Sequence, residues 1–312
     1  MEPLGALLSL LRPRATAPKV ILGAGHWAVR YGPFGQIGYG LVIDGRCRLD
    51  LAAGSPLTLS AGDFLLLPPG DGFRMSSADG TAIDVEGKRD RTSPSGEVRY
   101  GDPHAVVDFQ LLGGYFSCDP AQRSLLRELL PTTIHIEAKE PSALRLSASL
   151  RILAEEARAD RPGRDLIVER LLEVLLVEAL RFHASRAVAS DRPGLLTALS
   201  DVALSRALRA LHADVARGWT VAELAREAAL SRSTFSERFA AKIGLPPMEY
   251  LLQWRMAIAR DLLRKDPPLE TVAAAIGYES ASAFSTAFRK RMGVSPGRFG
   301  RELNASAHTS RN

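Results

Sequence analysis

Four residue pairs near the C-terminal end of this chain keep one separation: Phe235 and Phe284, Phe239 and Phe288, Gly244 and Gly293, and Pro247 and Pro296 each lie 49 residues apart. A fixed offset shared by aromatic, glycine and proline positions marks a duplicated unit. The pattern also extends upstream. Glu223-Leu-Ala-Arg-Glu-Ala-Ala-Leu-Ser231 and Thr271-Val-Ala-Ala-Ala-Ile-Gly-Tyr-Glu-Ser280 share a Leu-Ala or Val-Ala pair, a gap, a large apolar residue and then serine.

Each copy reads as two short helices around a tight turn. Thr220-x-x-Glu223 is a capping box, in which hydroxyl and carboxylate satisfy orphan amides at a helix start. Ser231 caps the next helix, where Phe235 and Phe239 at i and i+4 form a buried stripe and Arg232, Ser233, Ser236 and Glu237 point away from it. In the second copy Ser280 is the cap, Phe284 and Phe288 the stripe, and Ala281, Ser282, Ser285 and Thr286 the outward face. Gly244 and Gly293 end the helices in the C′ position that glycine fills best. Two helices joined this way form a helix-turn-helix, whose second helix reads base edges in the major groove. A plain helical hairpin is the competing reading. Against it stand the duplication and the basic cluster Arg289-Lys290-Arg291. Met248 to Lys265 predicts one longer helix between the copies, which must set their separation near one DNA turn, ~34 Å, if both are to enter successive grooves.

Charge agrees in direction. From Leu195 onward there are 17 Lys and Arg against 11 Asp and Glu, whereas the preceding residues carry 23 against 24. A basic segment joined to a near-neutral one suits a polyanion-binding module fused to something else. With 312 residues, 46% hydrophobic and 24% charged, the chain predicts two ordinary cores, and neither disorder nor a fibrous repeat. No apolar run approaches ~18 residues, and Leu4 to Leu11 follows Glu2 with neither a basic n-region nor a cleavage site. The expectation is a cytoplasmic protein with no membrane partner.

The longer run Trp219-Thr-Val-Ala-Glu-Leu-Ala, Ser231-Arg-Ser-Thr-Phe-Ser-Glu-Arg-Phe, Gly244-Leu-Pro-Pro-Met-Glu-Tyr-Leu, Trp254-Arg-Met-Ala-Ile-Ala-Arg-Asp-Leu-Leu, Ala273-Ala-Ala-Ile-Gly-Tyr, Phe284-Ser-Thr-Ala-Phe-Arg and Gly293-Val-Ser-Pro resembles the AraC-family DNA-binding domain, over about 201–299. The resemblance implies a transcription regulator that binds double-stranded DNA, with RNA polymerase as a further partner; the residues leave activation and repression open. It assigns base contact to Ser233, Ser236 and Glu237 in the first unit and to Ala281, Ser282, Ser285 and Thr286 in the second. Arg232, Arg289 and Lys290 are assigned to the DNA interface as well, Arg232 and Arg289 as phosphate clamps. Two positions depart from the family pattern. Ala229 stands where glycine is usual, which predicts a strained turn. Pro268 stands where Ser or Thr is usual, with Asp266 expected as substitute cap and Pro267 at N1.

Upstream, short apolar segments at His26 to Tyr31, Gln36 to Ile43, Arg46 to Leu51, Phe64 to Leu67 and Ala105 to Leu112, cut by Asp44-Gly45, Gly62-Asp63 and Pro68-Pro69-Gly70, predict a small β-barrel or sandwich. Glu86 to Asp102, rich in charge, reads as an exposed loop. Gly45-Arg-Cys-Arg-Leu, Leu59-Ser-Ala-Gly-Asp-Phe-Leu-Leu-Leu-Pro-Pro-Gly70 and Leu112-Gly-Gly-Tyr-Phe resemble the cupin-like sensor domain of some AraC-type regulators, which implies a small-molecule or stress signal. Helices are expected over Ser142 to Ala159 and Asp165 to His183. The second is apolar on more than one stripe, so it is either wholly buried or a homodimer interface. Ala189 to Gly194 reads as a linker.

The fold expected is therefore α+β in two domains: a cupin-like β-barrel over 1–140, a helical connector over 141–190, and an all-α domain with two helix-turn-helix motifs over 195–302. A cupin enzyme is the alternative from another class, and an architectural DNA-binding protein a third. Metal-dependent cupins present His-x-His with further ligands; His26, His104, His135, His183, His212 and His308 include no such pair. No metal, cofactor or enzymatic activity is expected. Cys47, flanked by Arg46 and Arg48, and Cys118 allow a secondary redox reading, but alternation places Cys47 inward, so inert buried thiols are favoured.

Overall fold

A computed structural model describes residues 2–16, 18–52, 55–78, 85–86, 97–118, 122, 133–140, 144–159, 161–186 and 193–309. It opens on helix α1 (Pro3–Leu11). Strands β1 (Arg14–Ala15), β2 (Lys19–Ala24), β3 (Ala28–Tyr31), β4 (Ile37–Asp44), β5 (Arg46–Leu51), β6 (Leu57–Ser60), β7 (Phe64–Leu67), β8 (Phe73–Ser77), β9 (Val85–Glu86), β10 (Glu97–Gly101), β11 (Phe109–Ser117) and β12 (Ile134–Ile136) follow. Helices α2 (Leu144–Arg158) and α3 (Arg164–Arg186) come next. The chain ends in α4 (Leu195–Leu199), α5 (Val202–Ala213), α6 (Val221–Glu227), α7 (Arg232–Ile243), α8 (Pro247–Leu263), α9 (Leu269–Ala275), α10 (Ala281–Met292) and α11 (Pro296–Thr309). Among the described residues no helix is long and apolar enough to cross a membrane.

Two units divide the chain. One comprises Pro13–Cys118 with Leu130–His183, the other Met1–Arg12, Asp119–Leu129 and Ala184–Asn312. In the first, one sheet runs β10-β2-β11-β4-β7-β12 with β1 on β11, and the other runs β6-β5-β8-β3-β9. Alternation explains the layering. On β5, Cys47 and Leu49 are fully buried while Arg46 and Arg48 are exposed. The Asp44-Gly45 turn needs glycine: φ is +74°, and a Cβ at Gly45 would sit 2.0 Å from the carbonyl oxygen of Asp108. Asp63 locks a second turn, its buried carboxylate accepting from the amides of Ser60 and Ala138, at 2.9 Å each, and lying 3.0 Å from His135 Nε2.

Several expectations shift. The stretch from Glu86 to Asp102 is not a loop at either end: Val85–Glu86 pairs with β3, and Glu97–Gly101 lies parallel to β2, while residues 87–96 are outside the described ones. The strand expected over Ala105 to Leu112 runs instead from Phe109, because its partners on β2 begin at Gly23. Helix α3 buries Val168, Leu172, Leu175, Leu176 and Leu180 and exposes Leu166, Ile167 and Val174, so it is not wholly buried. Of the expected linker, residues 189–192 lie outside the described ones. Gly194 leads into α4 and donates to the carbonyl of Lys242 at 2.8 Å.

Residues 3–11, grouped by the sequence reading with the barrel, pack in the other unit. Glu2 caps α1 by accepting from the amides of Leu4 and Gly5 at 2.9 and 2.7 Å. Leu4, Leu7, Leu10 and Leu11 form a stripe buried against α5 and α8, and Arg12 pairs with Asp261 of α8 at 3.0 Å.

Candidate nucleic-acid interface

The first helix-turn-helix is α6 with α7. At its start the capping box is complete: the amide of Glu223 donates to Thr220 Oγ1 at 3.2 Å, and the amide of Thr220 donates to Glu223 Oε2 at 2.8 Å. Arg217 adds a 2.7 Å contact to the same carboxylate and lies over the Trp219 ring. Hydrogen bonds from Thr220 and Arg217 hold the Glu223 carboxyl down at about 2. Leu230 N donates back to Ala225 O at 2.9 Å and Ala229 takes a φ of +55°, the left-handed turn anticipated from the missing glycine. Ser231 then caps α7 through the amide of Thr234 at 3.2 Å.

The second unit, α9 with α10, repeats these bonds. Tyr278 N donates to Ala273 O at 2.9 Å, Gly277 has a φ of +78°, and Ser280 caps α10 through the amide of Ala283 at 3.2 Å. Glu279 is an extra residue between turn and cap. The cap expected from Asp266 does not form: α9 starts at Leu269 behind Pro268, with no side-chain cap bond, and Asp266 occupies a left-handed conformation at φ +49°. Two consecutive prolines put Asp266 too far ahead of the first helical amides to reach them.

Phe235, Phe239, Phe284 and Phe288 are fully buried. The opposite faces carry the residues selected from sequence. Arg232, Ser233 and Glu237 are exposed and Ser236 is half-buried, its hydroxyl donating to Arg232 O at 2.9 Å. On α10, Ser282 and Thr286 are exposed and Ala281 and Ser285 half-buried, with Arg289 and Lys290 exposed at the C-terminal end. Arg291 departs from that cluster, because it pairs with Glu249 and ties α10 to α8. Gly244 and Gly293 end both helices at φ +88° and +76°.

What holds the units together is the part spacing did not reveal. From α8, Arg255 donates to the carbonyls of Val215 and Arg217 at 3.0 and 2.8 Å, gripping the loop ahead of α6. Gly277 of the second unit abuts the same loop: a Cβ there would lie 2.1 Å from Ala216 O and 2.8 Å from Arg255 Nη2. Nearby, His212 Nε2 meets Tyr250 Oη at 2.8 Å, its ring 4.4 Å from Trp254. Burial pushes His212 down to about 3, so the ring is neutral at physiological pH.

The barrel unit contains a second candidate site, a cavity of about 370 Å³ between its sheets. Glycine opens it: Gly40 and Gly113 face each other across β4 and β11, and Gly38 faces Tyr115. Leu49, Leu65, Leu67 and Met75 form part of the wall, and Tyr31, Phe34 and Phe73 an aromatic group. Neither cysteine lines the cavity. Burial raises both thiols to about 12, so at neutral pH they remain protonated.

A double-sheet barrel followed by paired helix-turn-helix units defines a DNA-binding regulator with an N-terminal cupin domain. Comparison with known proteins agrees: a cupin family model matches residues 2–185 and a helix-turn-helix domain model residues 224–302. An AraC-like transcription regulator of Streptomyces lividans is 35% identical over 299 residues, 95% of this chain and 97% of its own length. A counterpart from Streptomyces antibioticus shows the same identity and coverage. Among solved structures, the DNA-binding domain of AdpA in complex with a target DNA is 28% identical, covering 34% of this chain and 96% of its own, with a TM-score of 0.32. The chain belongs to the AraC-like transcription regulators.

Proposed function

We propose that this regulator binds specific double-stranded DNA through the outer faces of α7 and α10, in two successive major grooves. Ser233, Ser236 and Glu237 meet base edges from the first helix, and Ala281, Ser282, Ser285 and Thr286 from the second. Arg232, Arg289 and Lys290 hold phosphates. The observation that carries this reading is the pair of equivalent helices, each with its aromatic stripe buried and its polar face open, braced on one rod, α8. The second face has short side chains and contributes less base discrimination than the first, where Glu237 is able to accept from cytosine N4.

The chain acts by binding rather than turnover, in the cytoplasm, with the cupin domain taking a small-molecule effector in its cavity. It forms a homodimer through the exposed apolar residues Ile152 on α2 and Leu166, Ile167 and Val174 on α3. At its promoters it contacts RNA polymerase, whether it activates or represses. The division of labour is residues 1–140 for sensing, with α1 lying in the DNA-binding unit, 141–190 for dimerisation and 195–302 for DNA.

A gel-shift titration against DNA upstream of neighbouring genes tests the central part. Retention of one fragment at least a thousandfold tighter than random duplex, with steep salt dependence, is expected. Uniform binding to every duplex would leave an architectural protein instead.

A further inference from the structure

Resting on the two-groove reading above, we infer that Arg255 is a positioning residue for DNA binding. It locks α7 and α10 at one separation and twist, so the chain accepts only DNA whose two contact patches are spaced and phased to match.

Packing on α8 ties each unit to the rod over a different stretch. Toward its N-terminal end α8 meets the first core, with the Tyr250 ring 5.7 Å from Phe239 and Trp254 4.4 Å from His212. Further on, Met256, Ala259 and Leu263 pack with Val272, Phe284 and Phe288 of the second. Arg255 falls between the two stretches and joins the units directly. Three successive carbonyls of the loop ahead of α6 turn toward its guanidinium: Nε donates to Val215 O at 3.0 Å, and Nη2 to Arg217 O at 2.8 Å and Ala216 O at 3.4 Å. Asp214 holds that curl by accepting from the amide of Arg217 at 3.1 Å. Arginine suits the place because its donors form a flat fork on a group that keeps its charge, although burial pulls it below its ordinary value.

From the other side, the turn between α9 and α10 docks on the same carbonyls. A Cβ on Gly277 would lie 2.1 Å from Ala216 O and 2.8 Å from Arg255 Nη2. The duplicated counterpart shows that the turn itself does not demand a glycine: Ala229 takes φ +55° with its Cβ in place and is exposed. What sets the second turn apart is the loop it abuts. Tyr278, next in the chain, is a near electrostatic neighbour of Arg255. Arg255 thus holds the entry to one reading unit against the turn of the other. One inserted base pair moves the second groove by ~3.4 Å and turns it by ~34–36° about the duplex axis, which a locked pair of helices cannot follow.

Gel shifts with the full-length chain supply the test, on the fragment it retains and on versions with one, two or five base pairs inserted between the two contact patches. The wild type is expected to lose about tenfold or more in affinity on every insertion. Arg255→Ala is expected to bind the parent fragment about tenfold more weakly, having lost its preset geometry, and to lose no more than about threefold further on the one-base-pair insertion. A merely structural role lowers the fraction of active chain, which scales every duplex alike and leaves the ratio of parent to inserted affinity at its wild-type value. That ratio unchanged in Arg255→Ala overturns the inference. Should Arg255→Ala fail to fold, Arg255→Lys, which keeps the charge and loses the fork, decides by the same ratio. A fragment with one patch scrambled separates the two readings. A wild type that tolerates insertions but not scrambling sinks the positioning role alone, and one that tolerates both sinks the two-groove mechanism beneath it.

Discussion

Replacing Gly277 with alanine should be far more damaging than any change at Ala229, although the two residues occupy the same turn position in the two helix-turn-helix units. Gly277 sits at φ +78°, and the left-handed region costs a residue with a Cβ roughly 1–2 kcal/mol. In addition the new Cβ meets Ala216 O at 2.1 Å, so the loop must retreat from Arg255, which grips it through carbonyls at 3.0 and 2.8 Å. Losing one such hydrogen bond to a charged group costs about 1.5–3 kcal/mol. Gly277→Ala should therefore destabilise the DNA-binding unit by roughly 3–5 kcal/mol. Ala229 already takes φ +55° and is exposed. Ala229→Gly relieves about 1–2 kcal/mol of strain against roughly 0.4–1 kcal/mol of added unfolded-state entropy, for a net gain of about 0.5–1 kcal/mol. Urea unfolding of both variants at unchanged m, with gel-shift affinity alongside, measures the contrast. A Gly277→Ala chain within about 0.5 kcal/mol of the parent, an effect typical of surface changes, would refute the interlock between Gly277, Ala216 and Arg255.

Three further outcomes are expected. The unfolded chain takes up a proton at His212 near 6.5 but the folded one only near 3, so stability present above pH 6.5 is lost as pH falls toward 3, by up to about 1.4 kcal/mol per pH unit; His212→Leu should flatten that part of a pH–stability profile, and an unchanged slope removes the assignment. Cys47 should resist a thiol-reactive dye at pH 7.5 until the chain unfolds, and Cys47→Ala should leave DNA retention under oxidant as it was; rapid native labelling contradicts its burial. Arg289→Ala should lower affinity about equally on all sequences and reduce the slope of log K against log salt by about 0.9, whereas Glu237→Gln should alter preference at one base pair by about 1–3 kcal/mol, both readable from salt-titrated gel shifts.

The helix-turn-helix units were legible because their signals are local. Capping serines, the Thr220 and Glu223 box, phenylalanines one turn apart and terminal glycines all act within a few residues of one another, and all appear where expected. Strands β5 and β7 were equally readable, each being short, apolar on the buried positions and bounded by turn residues. What escaped depends on partners distant in sequence. Strand β10 is fixed by lying parallel to β2, and nothing in Glu97 to Gly101 announces that pairing. Helix α1 carries an amphipathic stripe, but its destination against α5 and α8 is set by surfaces some 200 residues later. The cavity arises from Gly40 meeting Gly113, which requires the register of β4 on β11. Arg255 was hidden inside a helix recognised only as a spacer.

Base-resolved methylation interference on the DNA fragment retained by the full-length chain bears most directly on the pairing of α7 with α10. Two contact patches are predicted, in neighbouring major grooves on one side of the duplex and about 10–10.5 base pairs apart, the nearer to α10 weakened selectively by Thr286→Ala and Ser282→Ala. A single patch, or two patches on opposite sides of the duplex, contradicts the account.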